Sequence, residues 1–170
     1  MKKALTIAGS DSGGGAGIQA DLKTFAAHGV FGMSVITAIT AQNSLGVLAV
    51  QDIRPDIIAK QIEAIFADMG TDAVKVGMVS QPETIRTIAD GLRKYAAPLV
   101  VIDPVMVSKS GYHLLQPEAE AVLIQELLPL ADVVTPNIPE AEAIVKRAIH
   151  TLTDMEEAAR AIHAMGAKNV

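Results

Sequence analysis

The chain has 170 residues, half of them apolar and 19% charged, which suits one domain of roughly 150 residues and excludes intrinsic disorder. Cysteine is absent, so disulfides, thiolate metal sites and cysteine nucleophiles are excluded. Fourteen basic against nineteen acidic residues give a net charge of -5, which argues against nucleic acid as a partner.

Lys2 and Lys3 ahead of an apolar run look like the start of a leader, but the run ends at Ser10 and Asp11 before any cleavage pattern. It reads as a cytoplasmic first strand over 5–8. A glycine-rich turn follows, then Ile18, Leu22, Phe25 and Ala26 at helical spacing. Residues 34–41 predict a strand, and 47–53 another. Pro55 stands early in a helix with Ile58, Ile62, Ile65, Phe66 and Met69 on one face. Strands are predicted over 73–79, 99–102 and 132–135, with a helix over 117–131. Ser80 with Glu83, and Thr153 with Glu156, have the spacing of capping boxes. The last helix should bury Met155, Ala159, Ile162 and Met165 before Gly166 ends it. Residues 167–170 resemble the lead-in to another strand. No run of about 18 apolar residues occurs, so no membrane-spanning helix is expected.

Strands alternating with helices, and strands that are apolar throughout, imply one α/β domain with a mainly parallel sheet covered on both faces. Ligands of such sheets bind outside the carboxyl ends of the strands. Those ends here are Gly9-Ser10-Asp11, Gln42-Asn43, Gly77-Met78, Asp103-Pro104 and Pro136-Asn137.

The first loop, SDSGGGAGIQAD, has three consecutive glycines whose amides can approach a ligand closely and adopt positive φ. It lacks the Gly-Lys-Ser/Thr of a Walker loop. Gly15, Gly17 and Ala20 fit a loose dinucleotide fingerprint, yet no acidic residue follows between Asp21 and Asp52 to bind a ribose. The plain alternative is a tight turn without a ligand. Gln42 ends an apolar strand, and its carboxamide matches a heterocycle edge bearing an amino group beside a ring nitrogen. Equally, it suits an amide that satisfies loop backbone. Asn137 and Glu140 fit a helix cap and its reciprocal partner. Asp103 before Pro104 is a turn residue or a carboxylate facing a metal. His28, His113, His150 and His163 are read as surface or boundary residues.

The stretches AGSDSGGGAGIQADLKTF, VITAITAQNS, KVGM, VIDPVMVSKSG and TPNIPEAE, in this order and spacing, resemble the hydroxymethylpyrimidine/phosphomethylpyrimidine kinase family of thiamine biosynthesis. That family belongs to the ribokinase-like superfamily, and the resemblance spans residues 5–170. It implies ATP- and magnesium-dependent phosphorylation of 4-amino-5-hydroxymethyl-2-methylpyrimidine, then of its monophosphate. By the same resemblance Gly9, Ala16, Asp21, Gln42, Met78 and Val105 would contact the pyrimidine. Asp103 and Glu140 would hold the metal, and Asn137, Glu140 and Lys109 would lie near the nucleotide phosphates.

Family members run roughly half as long again. Their glycine-rich anion hole and catalytic base would lie beyond Val170, so no catalytic residue is expected within 1–170 and these residues alone should not turn over. A sheet cut before its last strands would expose an edge, which predicts self-association as a homo-oligomer. Other readings are a pyridoxine or pyridoxal kinase, a non-catalytic pyrimidine-binding module, and an NAD oxidoreductase.

Overall fold

The computed structural model describes residues 1–106, 115 and 117–170. Six strands form one sheet: β1 (Lys3–Asp11), β2 (Phe31–Asn43), β3 (Gly46–Asp52), β4 (Ala73–Val76), β5 (Val100–Ile102) and β6 (Val133–Val134), in the order β3-β2-β1-β4-β5-β6. All neighbours run parallel except β3, which turns back on β2 as an antiparallel edge strand. Between them lie helices α1 (Gly17–Ala27), α2 (Pro55–Ala64), α3 (Pro82–Lys94) and α4 (Pro117–Val122), and α5 (Ile138–Val145) and α6 (Leu152–Ala164) follow β6.

Ala4, Leu5, Thr6, Ile7 and Ala8 are buried in succession, as a central strand covered on both faces requires. Ile58 and Ile62 of α2 and Ile85, Ile88 and Leu92 of α3 join the same core. The rings of Phe66 and Tyr95 stack at 5.0 Å between the ends of those two helices. Gln61 of α2 finishes the hydrogen bonding of β2, accepting from the Ile36 amide at 2.9 Å and donating to its carbonyl at 3.1 Å. A polar helix residue thus substitutes for a sheet neighbour where β3 ends.

Several predicted boundaries move, each for a local reason. The strand expected over 73–79 ends at Val76, and Met78 beyond it lines the cleft described below. The helix expected over 117–131 is α4, a π turn (Leu123–Leu127) and a 3-10 turn (Leu128–Leu130), as Pro129 cannot continue α-helical bonding. Ser80 caps nothing: its hydroxyl donates to Asp52, and α3 starts after Gln81 with no side-chain cap. The box expected at Thr153 and Glu156 forms two residues earlier. Thr151 Oγ1 accepts from the Asp154 amide at 3.1 Å, and Asp154 takes the Thr151 amide at 2.8 Å. Met155 therefore falls in the exposed first turn, and Ala158 with Ile162 is buried instead of Ala159.

Residues 167–170 are not a strand, yet they pair with β6. The Lys168 amide donates to the Ala131 carbonyl at 3.0 Å, and the Val134 amide to the Asn169 carbonyl at 2.9 Å. Among the described residues β3 is an edge strand with no neighbour on its outer side.

Candidate active site

The chain runs β1 to β2 to β3 in one direction and then returns to the other side of β1 for β4. Connections diverge at that point, and crevices open there outside the carboxyl ends. A cleft of about 780 Å³ occupies it. Gly9, Ala16, Asp21, Gln42, Met78, Asp103, Val105, Asn137 and Glu140, all singled out from the sequence, line this one cleft. Lys109 and His113 lie outside the described residues.

The glycine-rich loop is built differently from the expectation. Asp11, buried at the end of β1, accepts from the amides of Gly13 at 2.7 Å, Gly15 at 2.9 Å and Ala16 at 2.8 Å. Those three amides point inward at the chain's own carboxylate and are not a phosphate cradle, which also removes the basis for the dinucleotide fingerprint. Gly17 is required by position. Its φ is +56°, and a Cβ there would stand 2.3 Å from the Gly9 carbonyl. Helix α1 can therefore start directly against the β1 end only with glycine.

Ser12 ties the loop to β2. Its hydroxyl donates to the Gln42 carbonyl at 2.7 Å and accepts from the Gln42 amide at 2.8 Å. The Thr40 hydroxyl lies 2.9 Å from the Ser10 carbonyl and 3.2 Å from Gln42 Oε1, and the shorter contact takes its single proton. The Gln42 carboxamide thus keeps an acceptor and two donors for the cleft.

Across the sheet stand the charged groups. Thr6 donates to Asp21 Oδ2 at 2.6 Å, and Lys75 Nζ lies 3.2 Å from the same oxygen and 3.8 Å from Asp103 Oδ2. Burial pushes the Asp103 carboxyl above the ordinary carboxylate range; Lys75 opposes this and the Asp21 charge adds to it. Burial also raises Glu140, against the pull of the Asn137 amide, and the neighbouring charge of Asp103 raises it further.

Asn137 and Glu140 do form the capping box that opens α5. Asn137 Oδ1 accepts from the Glu140 amide at 3.0 Å, and Glu140 Oε2 from the Asn137 amide at 2.9 Å. The cap and the cleft are served by the same two residues, because the box aims the start of α5 at the β5 and β6 ends.

Lys75 has no role in the sequence reading, and Asp11 enters it only as part of a strand end. The signal for Lys75 was an ammonium inside an apolar strand buried on both faces, where an unpaired charge is costly. For Asp11 it was an aspartate directly before glycines, the residue type that bonds backbone a few positions on.

Magnesium binds oxygen ligands and commonly takes one or two carboxylates plus substrate phosphates. Asp103 and Glu140, each raised by burial and by like charge, have the chemistry that such an ion relieves. Among the described residues no group of three or more acidic or histidine side chains is placed to hold a metal ion by itself, so the fit is to an ion carried by phosphates and not to a protein cage.

The family model described as phosphomethylpyrimidine kinase matches residues 11–170. A hydroxymethylpyrimidine/phosphomethylpyrimidine kinase of Rhizobium meliloti is 60% identical over 168 residues, 98% of this chain. The chain spans 63% of that relative's length. A thiamine biosynthesis bifunctional protein of Geobacter sulfurreducens is 52% identical, covering 98% of this chain and 34% of its own. Among solved structures, a phosphomethylpyrimidine kinase from Clostridium difficile superposes with a TM-score of 0.93 at 59% identity, over 99% of this chain and 73% of that one. A pyridoxal kinase from Bacillus subtilis gives 0.88 at 44% identity, over 98% of this chain and 62% of that one.

Proposed function

The chain belongs to the phosphomethylpyrimidine kinase family, and on that premise we propose that it serves ATP-dependent phosphorylation of 4-amino-5-hydroxymethyl-2-methylpyrimidine and of its monophosphate in thiamine biosynthesis. One observation carries the reading. The carboxamide of Gln42 at the β2 end and the carboxylates of Asp103 and Glu140 at the β5 and β6 ends face one cleft at the switch in strand order. A heterocycle reader and a phosphate-and-metal region are thus held apart by the width of two intervening strands, β1 and β4.

In this reading Gln42 pairs with the aminopyrimidine edge, and Gly9, Ala16, Asp21, Met78 and Val105 enclose the ring. Asp103 and Glu140 hold magnesium, with Asn137 beside the phosphates. Magnesium, when bound with the nucleotide, offsets phosphate charge. Lys109 is assigned to the nucleotide phosphates by family resemblance, and the catalytic base and anion hole to residues after Val170. The setting we propose is the cytoplasm; no described helix is long and apolar enough to cross a membrane.

Incubation of the full-length protein with ATP, magnesium and the hydroxymethylpyrimidine should give the monophosphate and then the diphosphate. Preference for pyridoxal over the pyrimidine would favour the second reading, which the similarity to the Bacillus subtilis pyridoxal kinase supports. Residues 1–170 assayed alone are expected to bind pyrimidine without turnover. A turnover number equal to that of the full-length protein would refute that.

Glu140→Gln separates cap from metal site. Glutamine also completes a capping box, so thermal stability should hold. A carboxyl raised in the folded state binds more protons there than when unfolded, so it subtracts stability as pH rises from the ordinary carboxylate range, about 4, through its raised value. The variant should therefore lose less stability than wild type between pH 4 and 8, as read from urea midpoints, while its magnesium requirement for ATP use increases. Wild-type activity across a magnesium titration would leave Glu140 as a cap alone.

We also propose a homo-oligomer. Strand β3 has an unpaired outer edge, and Ile39, Leu45 and Leu48 stand exposed on its hairpin. Sedimentation velocity tests this, a monomer at every concentration being the refuting result.

A further inference from the structure

We propose that Lys75 is the cation that receives the phosphate of an already phosphorylated acceptor, and so sets how well the cleft takes a charged acceptor relative to a neutral one. The inference rests on the kinase reading above.

The relatives' names carry two acceptors, a hydroxymethylpyrimidine and a phosphomethylpyrimidine. The first is neutral at its reacting arm, and the second brings between one and two negative charges near pH 7. Both must enter a cleft whose described lining carries the carboxyl groups of Asp11, Asp21, Asp103 and Glu140 against one cation, Lys75. A phosphate placed among these groups without a cationic partner is repelled.

Lys75 is arranged to change partners. Its contacts to Asp21 at 3.2 Å and Asp103 at 3.8 Å are both longer than the roughly 2.7–2.9 Å of a charge-assisted hydrogen bond. An ammonium has three donors, and among the described residues only Asp21 accepts one of them. Gly77 admits Nζ to this position at the cleft, since a Cβ there would stand 2.6 Å from it. Asp21 also has a second partner that does not move with the lysine, the Thr6 hydroxyl at 2.6 Å. When the ammonium turns to a phosphate, Asp21 therefore keeps a donor. A lysine needed only to neutralise Asp21 would have no use for that second donor.

The test is Lys75→Met in the full-length protein, with kcat/KM measured for each acceptor at saturating ATP. Loss of a hydrogen bond to a charged group should lower the value for the phosphomethylpyrimidine by roughly tenfold to a hundredfold more than for the hydroxymethylpyrimidine. The excess should lie mainly in KM. A fraction of protein that fails to fold lowers both values equally, so the ratio keeps its meaning. Where both rates vanish, calorimetric dissociation constants for the two pyrimidines give the same ratio. Equal losses overturn the proposal and leave Lys75 as a neutralising partner of Asp21 and Asp103. Wild-type protein that phosphorylates neither pyrimidine overturns the kinase reading itself, a result distinct from equal losses.

Discussion

Asp11→Ala is expected to lower stability by about 3 kcal/mol and to release the glycine-rich loop. One carboxylate satisfies three backbone amides there, and alanine satisfies none. Each bond to a charged acceptor contributes about 1.5–3 kcal/mol when buried. Gly13, Gly15 and Ala16 lie at the surface, so water replaces part of the loss and the total stays near the lower bound for two such bonds. For a chain of this size that corresponds to a fall in Tm of roughly 6–12 °C. Asp11→Asn keeps one acceptor oxygen and should lose about half as much. Binding should suffer with stability, because the loop is what brings Ser12 onto the backbone of Gln42. Differential scanning calorimetry decides it. An alanine variant that melts with wild type would mean that water, not Asp11, holds those amides.

Gln42→Leu is expected to do the reverse, weakening pyrimidine binding while leaving the fold almost untouched. Leucine keeps the volume, and the side chain gives up only its 3.2 Å contact with the Thr40 hydroxyl, which retains the Ser10 carbonyl. The ligand's amino group and ring nitrogen would then face an apolar wall. An unsatisfied buried polar group costs about 1–3 kcal/mol, so affinity should fall roughly tenfold to a hundredfold. Titration calorimetry with the hydroxymethylpyrimidine measures it directly, and an unchanged dissociation constant would remove Gln42 from the pyrimidine site. The two variants together separate the residue that reads the ligand from the residue that builds the loop behind it.

The α/β architecture, the near-complete order of elements and the strand ends that carry polar groups were legible in the chain. Apolar runs and 3.6-residue periodicity are local, and a strand such as β1, buried on both faces, leaves an unmistakable run of Leu5, Ile7 and Ala8. The Asn137–Glu140 box was legible for the same reason, since both partners lie within one turn. Cap positions elsewhere were not, because Ser80 had a competing acceptor in Asp52, 28 residues away.

What the sequence by itself determined is the class of fold, the family and the residues worth attention at each strand end. What only the tertiary structure decided is which of them meet, and in what state. That Lys75 stands between Asp21 and Asp103 depends on β4 lying next to β1 on one side and β5 on the other. The amides of the glycine-rich loop are taken up by Asp11 because the end of β1 is buried beneath them, and Asp103 with Glu140 is raised because the fold takes both partly out of water and sets like charge beside them. Hydrophobic period is a property of neighbours along the chain, whereas pairing and desolvation arise between segments far apart in it, so the first can be read from order alone and the second cannot.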